Sequence, residues 1–343
     1  MPAPITAVVG ALGSQGSSVV SALLASKSPY RIRALTSNAE SPAAVKLSNS
    51  DSRIEVVQAD LHSIDSLVAA FTGATYIYAN TVFRPDVFNE KDAQGAQDTE
   101  STQGLNIVRA AARVNEQDGT VLKHIVWSTL PDTERASGGK LVVPHLQSKI
   151  AAEKFLLDKG NGLSGKTTFL RVGMYGVNLS RAPYTPTYMK GVDKYFTILP
   201  CSPYTKIPMV GNVTPNLGLI VEAIFRQPEI SLQKYVLAAV EYLTAKEWVQ
   251  ALSKVCGKDI VFLETSLGCY EGLFGPAGRE LGLMMKYIEV LGEGSFAVGV
   301  GEGDLLMPRD LGLEGVLENT EDALGELDWE ETLDSGGGGK PSV

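Results

Sequence analysis

Two short runs of this 343-residue sequence combine residue types and spacings that could do chemistry. In the first, Gly10, Gly13 and Gly16 lie between the apolar runs ITAVV and SSVVSALL. Gly10 allows a tight turn, Gly13 lets backbone N–H groups approach a pyrophosphate, and Gly16 lets a helix pack closely on a strand. The start of such a helix favours anions. We therefore predict a dinucleotide site that includes Ser14 and Gln15; the alternative is a purely structural turn.

The second run is VPHLQSKI, in which His145 and Lys149 are four residues apart. At the start of a helix this spacing places both side chains on one face, one turn apart. Imidazole titrates near neutral pH and can serve as a proton donor. The pair therefore predicts acid chemistry beside a positive charge. The alternative is that His145, which follows Pro144 at a loop-to-helix junction, stabilises local structure.

The elements that must position these residues are repeated β–α units, because short β-branched runs alternate with helical patterns. We predict strands near 5–10, 31–36, 54–58, 75–79, 122–128 and 167–172, and helices near 15–26, 63–72, 98–115 and 146–159. This order predicts an α/β protein with a Rossmann-type, doubly wound parallel sheet.

After about residue 173, loops rich in Pro, Tyr and Gly interrupt the pattern. Helices near 214–226 and 244–256 then flank the strand-like run KYVLAAV, which predicts a smaller α/β C-terminal lobe. We expect a dinucleotide-binding domain over 1–172, a substrate or partner lobe over 173–334 and a flexible tail over 335–343, with chain crossing between the lobes.

The end of the second predicted strand bears on the choice between NAD and NADP. An NAD-binding protein usually has a carboxylate there that accepts from the ribose 2′-OH. This sequence instead has Thr36, Ser37 and Asn38, and its first carboxylate is Glu40. Hydroxyl and amide groups can donate to a 2′-phosphate, and Arg33 or Lys46 could reach it. The segment therefore favours NADP(H); the alternative for Arg33 is a solvent-facing strand residue.

Further candidates follow the third and fourth strands, because the carboxyl ends of parallel strands share one edge of the sheet. Asp60 and Leu61 follow the third strand, where such sheets contact the adenine. Ala79, Asn80 and Thr81 follow the fourth, beside the expected nicotinamide ribose. These five residues complete the predicted cofactor contacts on this half of the sheet.

The loop after the sixth strand should cross the nicotinamide end of the site. It begins at Gly173 and contains Tyr175 and Asn178, and another loop with tyrosines follows over 184–188. Aromatic residues with a few polar groups are typical of a pocket for a small apolar molecule. We predict that Tyr175 and Asn178 contact substrate; the alternative is a packed seam between the lobes.

The sequence resembles the NmrA-like branch of the atypical short-chain dehydrogenase/reductases. The resemblance is carried in order, over roughly residues 5–295, by GALGSQGSSVV, RALTSN, VVQADLHSIDSLVAAF, LKHIVWSTLPD, VPHLQSKIAAEKFL and LTAKEWVQALSKVCGKDI. It implies a Rossmann-type fold. The family includes NADP-sensing regulators, NADPH-dependent reductases and enzymes without net redox change, so the resemblance leaves the activity open.

The resemblance also implies roles for three residues. Reductases of this type carry Y-x-x-x-K, in which the lysine contacts the nicotinamide ribose and the tyrosine donates a proton; here Lys149 matches the lysine and His145 stands in place of the tyrosine. Ser128, in VWSTL, matches the substrate-orienting hydroxyl. Where members with firm NADP(H) preference often carry Arg, this chain has Ser37, so 2′-phosphate affinity would be weaker or depend on Lys46.

Composition excludes several function classes. The chain is 44 % hydrophobic and 20 % charged, which is typical of a globular protein. It has no apolar run long enough to span a membrane and no basic, apolar leader at its start, so we expect a cytoplasmic protein without membrane contact. The three cysteines are sparse and unpatterned, which predicts free thiols and no metal site.

The net charge of −9 is concentrated in residues 301–334, which carry twelve acidic side chains and one Arg. The rest of the chain is near neutral and has no basic patch, so direct binding of nucleic acid is disfavoured. We interpret the acidic segment as a solvated helix or strap; the alternative is a tail that binds a partner.

Three functions fit these observations. The first is NADPH-dependent reduction of a C=O, C=N or activated C=C bond in a small molecule. The second is a non-catalytic sensor of NADP(H) that binds a protein partner. The third is a condensation or cyclisation without net redox change, with His145 as acid or base.

Overall fold

The computed structural model describes residues 3–81 and 93–334; the predicted tail over 335–343 lies outside them. In chain order, the elements are β1 (Ile5–Val9), α1 (Ser14–Ala25), β2 (Arg31–Thr36), α2 (Pro42–Ser48), β3 (Ile54–Gln58), α3 (Ile64–Phe71), β4 (Tyr76–Ala79), α4 (Ala93–Asn115), β5 (His124–Thr129), α5 (Thr133–Ser137), α6 (Pro144–Gln147), α7 (Ile150–Leu157), β6 (Thr167–Val172), β7 (Met174–Tyr175), β8 (Thr187–Met189), β9 (Lys194–Leu199), β10 (Lys206–Gly211), α8 (Val213–Arg226), α9 (Pro228–Ser231), β11 (Tyr235–Ala238), β12 (Glu241–Thr244), α10 (Ala245–Cys256), β13 (Ile260–Glu264), α11 (Leu267–Leu291), β14 (Leu305–Leu306), α12 (Thr320–Gly325) and α13 (Trp329–Asp334).

The largest sheet has eight parallel strands in the order β14-β11-β6-β5-β4-β1-β2-β3. Side chains alternate between its faces, as strand geometry requires. Val8 of β1 packs in a core with Val20 of α1 and Leu217 of α8, whereas Ala7 and Val9 pack in a second core that includes residues of α3 and α4. Helices therefore cover both faces, which confirms the predicted doubly wound, Rossmann-type α/β fold.

Two strands of this sheet come from the second half of the chain. The predicted strand KYVLAAV forms β11, which pairs with β6, and β14 pairs with β11 at the edge. The remaining strands form two three-stranded sheets, β12-β10-β7 and β13-β9-β8. A third core packs α10 and α11 against these elements. The division of the chain at residue 172 stays a prediction.

The predicted helix over 146–159 forms as two shorter helices, α6 and α7. Ser148 and Lys149 lie between them with helical backbone angles, so His145 and Lys149 still follow one helical path. The Ser148 hydroxyl contacts the Glu100 carboxylate at 2.6 Å and the His145 carbonyl oxygen at 2.9 Å. The side-chain bonds of this junction tie α6 and α7 to α4.

The acidic segment over 301–334 is packed on the body of the protein. Leu311 and Leu313 lie in the core beside α1 and α8, while Leu324 and Trp329 lie in the core with α10 and α11. Most of its acidic side chains face solvent. The segment is therefore a strap whose apolar residues join two cores, as the solvated-strap interpretation expected.

Within the described part of the chain, no helix has the length and apolarity needed to cross a membrane. Residues 3–81 and 93–334 also contain no group of three or more His, Cys, Asp and Glu side chains that could hold a metal ion.

Candidate functional site

The glycine-rich turn joins β1 to α1 with the backbone shape that the sequence predicts. Gly10 has φ +67°, and the Gly13 N–H donates to the Gly10 carbonyl oxygen at 2.9 Å. A Cβ atom on Gly16 would stand 2.1 Å from that same oxygen, so only glycine fits there. Helix α1 begins at Ser14 with no side-chain cap. Its first N–H groups are therefore donors that suit a pyrophosphate.

A cleft of about 190 Å³ opens beside this turn. It brings together five predicted cofactor residues, and the full lining is Val9, Gly10, Leu12, Gly13, Leu35, Thr36, Ser37, Ala59 and Leu61. We call it the dinucleotide cleft. The buried Asn80 Oδ1 has no hydrogen-bond partner within the described residues and lies beside Gly10. The dinucleotide cleft and the unpartnered Asn80 oxygen fit a nucleotide, because a nucleotide carries hydrogen-bond donors of its own.

The other predicted residues near the second strand are arranged differently. Ser37 is exposed, and Asn38 Oδ1 accepts from the Glu40 N–H at 2.9 Å. Lys46 is exposed on α2 and is not among the residues that line the cleft. The Arg33 guanidinium contacts Glu55 and two backbone carbonyl oxygens at the end of α3. Arg33 is therefore engaged away from the residues that line the cleft.

Asp60 does not line the dinucleotide cleft, although its neighbour Leu61 does. The Asp60 carboxylate accepts from the His62 N–H at 2.9 Å, which shapes the turn after β3. Ala79 and Thr81 are buried at the end of β4. Asp60 therefore makes a local contact, whereas Thr81 contacts Glu100 and Lys149, which lie far from it in the sequence.

A second cavity, of about 210 Å³, lies at the carboxyl edge of β5 and β6. We call it the central cavity. It brings together seven predicted residues with mostly apolar neighbours: Gln15, Ser128, Thr129, Leu130, His145, Leu146, Lys149, Val172, Gly173, Met174, Tyr175, Asn178, Tyr184, Leu281, Met284, Ile288 and Phe296. Gln15 lies in the first turn of α1, directly after the glycine-rich turn, so the start of α1 and the central cavity meet at this residue.

Lys149 forms a buried ion pair on one wall of the central cavity. Its Nζ donates to Glu100 Oε1 at 2.8 Å and to the carbonyl and hydroxyl oxygens of Thr81, both at 2.9 Å. Burial alone would raise the pKa of Glu100, but the Lys149 charge and hydrogen bonds from Lys149, Ser148 and Thr81 hold it below its ordinary value. The three donors of the ammonium group are thus matched by three acceptors of the chain.

His145 forms a second pair, with Glu280 of α11. Glu280 Oε1 accepts from the His145 N–H at 3.0 Å and makes a short contact with ring Nδ1. Burial would raise the pKa of Glu280, but the charge of His145 and its two hydrogen bonds lower it. A carboxylate at Nδ1 makes Nδ1 the donor of this contact and holds the ring in one orientation.

Gln15 connects three hydroxyl groups at the mouth of the central cavity. Its Oε1 accepts from Tyr78 at 2.6 Å and from Ser128 at 2.9 Å, while its Nε2 donates to the Tyr175 hydroxyl at 2.8 Å. The Asn178 amide contacts the sulfur of Met174. Ser128, Tyr175 and the glycine-rich turn are therefore parts of one hydrogen-bond network.

Sequence reasoning missed Glu100, Glu280 and Tyr78. Glu100 and Glu280 are 49 and 135 residues from their partners, and no local spacing connects them. Helix α11 was also missed, because Gly275 and Pro276 interrupt its pattern. Glu280 stands beside the apolar run LGLMM, which is a signal because a buried carboxylate needs a partner, whereas Glu100 lies in the polar run DTESTQ and has no such signal.

The fold and these two cavities define an α/β protein of the dinucleotide-binding type. The chain belongs to the NmrA-like family, whose model matches residues 4–300. Its relatives include the NmrA-like family domain-containing oxidoreductase FrzB of Cladobotryum sp., 27 % identical over 314 residues, with 88 % of each chain covered.

Two solved structures show the same fold. One is NmrA, a negative transcriptional regulator, in complex with NADP, which is 19 % identical with a TM-score of 0.69 and 98 % of both chains covered. The other is the triphenylmethane reductase of Citrobacter sp. complexed with NADP(H), which is 19 % identical with a TM-score of 0.62 and covers 97 % of this chain and 99 % of its own. At these identities the likeness concerns the fold alone.

Proposed function

We propose that this protein is an NADP(H)-dependent reductase that acts on a C=O, C=N or activated C=C bond of a small, mostly apolar molecule. One observation carries the proposal: Gln15, which directly follows the glycine-rich turn, lines the same cavity as His145 and Lys149. A nucleotide held at the turn therefore adjoins the acid and the cation. Relatives such as FrzB are named oxidoreductases, which supports this class of activity.

The cofactor would be held by the residues around the two cavities. The pyrophosphate would lie on the N–H groups at the start of α1, and the proposed contacts are Gly10, Gly13, Ser14, Gln15, Gly16, Thr36, Ser37, Asn38, Lys46, Asp60, Leu61, Ala79, Asn80, Thr81, Lys149 and Gly173. When bound, NADPH supplies a hydride. The lack of a carboxylate at the end of β2 supports NADP(H) over NAD, and NmrA has been solved with both nucleotides.

The chain's own residues would supply the proton and the substrate contacts. For a carbonyl substrate, His145 would give a proton to the oxygen as the carbon accepts the hydride that bound NADPH would supply, so the products would be an alcohol and NADP⁺. Glu280 would hold the His145 ring in place through its contact with Nδ1. Ser128, Tyr175 and Asn178 line the cavity in which the substrate would bind. Leu281, Met284 and Ile288 of α11 form an apolar wall of this cavity.

The test is NADPH consumption with a panel of aromatic ketones, imines and enones, followed by absorbance and product analysis. We expect the wild type to consume NADPH and His145→Phe to lose most of this activity. Phenylalanine keeps a ring at this position but has no proton to donate. The control is His62→Phe, because His62 lies outside both cavities. Binding of NADPH without consumption of any substrate would contradict the proposal, and product formed without consumption would indicate condensation or cyclisation.

A sensor of NADP(H) is the second candidate function. The three N–H groups of the Lys149 ammonium already donate to Thr81 and Glu100. A protein that binds the cofactor without catalysis would not need Lys149 for a reaction, so it would allow this arrangement. Such a sensor would bind a protein partner, and its affinity for that partner would differ between NADP⁺ and NADPH. Partner affinity that is equal with both nucleotides would contradict it.

A further inference from the structure

Two hydroxyl groups of the central cavity could donate a hydrogen bond to the substrate. Ser128 and Tyr175 both line the cavity, and both contact the amide of Gln15. An amide donates through its nitrogen and accepts through its oxygen. A hydroxyl that donates to the amide oxygen has no hydrogen left for a substrate, whereas a hydroxyl that accepts from the amide nitrogen still has one.

The contact distances agree with the orientation that this amide has in the structure. The atom of Gln15 nearest to Tyr78 lies 2.6 Å from that hydroxyl, whereas the other end lies 2.8 Å from the Tyr175 hydroxyl. O–H···O bonds are centred near 2.7–2.8 Å and N–H···O bonds near 2.9–3.0 Å, with about 2.7 Å as their short limit. The shorter contact therefore belongs to Oε1 and the longer one to Nε2.

The hydrogens can then be assigned. Oε1 accepts from both Tyr78 and Ser128, so the Ser128 hydrogen points at Gln15. The Tyr175 hydroxyl accepts from Nε2, and its own hydrogen has no acceptor within residues 3–81 and 93–334. Burial raises the pKa of Tyr175, so the hydroxyl stays protonated at neutral pH.

We infer that Tyr175, and not Ser128, donates the hydrogen bond that orients the substrate in the central cavity. The ligand class that suits this donor is an apolar, aromatic molecule with one neutral acceptor, a ketone or an imine, because the other walls are mostly apolar. The inference rests on the proposed function for the identity of the reaction, but the donor itself can be tested by binding alone.

The test compares acetophenone with ethylbenzene, which differ in the acceptor oxygen. Binding of each is measured with and without NADP⁺ for the wild type, Tyr175→Phe and Ser128→Ala, two variants that each remove one hydroxyl. We expect the wild type to prefer acetophenone, Tyr175→Phe to lose about fivefold of that preference, and Ser128→Ala to keep it within about twofold. Thermal unfolding checks that both variants are folded.

Loss of the preference in Ser128→Ala with retention in Tyr175→Phe would overturn the inference, because the amide would then have the opposite orientation. A wild type that does not prefer acetophenone would also overturn it. Failure of the proposed function is distinguishable, since it appears as absent NADPH consumption while the preference and its loss in Tyr175→Phe persist.

Discussion

Replacing Lys149 by Met should destabilise the fold as well as affect any chemistry. Lys149 Nζ lies 2.8 Å from Glu100 Oε1, and the two side chains are 10 % and 2 % exposed. The substitution leaves Glu100 buried without its countercharge, and among the described residues the Ser148 and Thr81 hydroxyls remain as its partners. Removal of one member of a buried pair costs about 3–5 kcal/mol. We expect a loss of that size in the free energy of unfolding.

Urea unfolding followed by tryptophan fluorescence measures this loss. Adding Glu100→Gln to Lys149→Met should restore part of it, because the stranded charge is removed. The pH dependence should also change sign. The wild-type pair, in which the pKa of Glu100 is lowered, adds stability above the ordinary value of 4.5 and loses it as the pH falls. In Lys149→Met, burial raises that pKa, so the variant should lose stability as the pH rises above 4.5.

A loss below about 1 kcal/mol in Lys149→Met, with no recovery in the double variant, would refute this reasoning. It would mean that the ammonium and carboxylate groups are hydrated and that the ion pair contributes little. Lys149 would then be available to a cofactor without any structural cost.

Three further predictions concern other parts of the molecule. Gly16→Ala should lower the free energy of unfolding by about 1–3 kcal/mol, because its Cβ would lie 2.1 Å from a backbone oxygen; Gly13→Ala, at 3.4 Å, should keep the melting temperature and weaken NADPH binding about tenfold in a titration. Burial lowers the pKa of His124 from 6.5 to about 4. As the pH falls from 6.5 to 4, the free energy of unfolding should therefore decrease by about 3 kcal/mol, because the unfolded state binds the proton first. The same decrease in a His124→Gln variant would contradict this. Glu280→Gln should lower NADPH consumption at least about tenfold, because His145 loses the carboxylate that orients its ring, whereas an unchanged rate would show that this contact does not matter for the reaction.

The fold was predictable because its signals are local. The apolar β-branched runs become β1 to β6, and the glycine spacing before α1 marks a turn that only glycine can form at Gly16. The contribution of β11 to the large sheet was less visible, since a strand of four residues carries no information about its partner. Long-range pairing of this kind depends on the packed chain as a whole.

The candidate site was predictable only in part. Gln15, Ser128 and Tyr175 could be placed near one another because Gln15 lies in the first helical turn after β1, Ser128 near the carboxyl end of β5 and Tyr175 shortly after β6. The bonds that join them through one amide depend on side-chain orientation, which sequence spacing does not contain. The partners of His145 and Lys149 lie on α11 and α4, so the electrostatics of the site required the structure.

The central claim is that the turn before α1 holds a dinucleotide whose nicotinamide end reaches the central cavity. A crystal structure with NADP⁺ tests it most directly. We predict the pyrophosphate on the N–H groups of Ser14 to Gly16 and the nicotinamide ring in the central cavity, facing His145. A nucleotide bound elsewhere, or an empty turn in crystals grown at millimolar NADP⁺, would contradict the account.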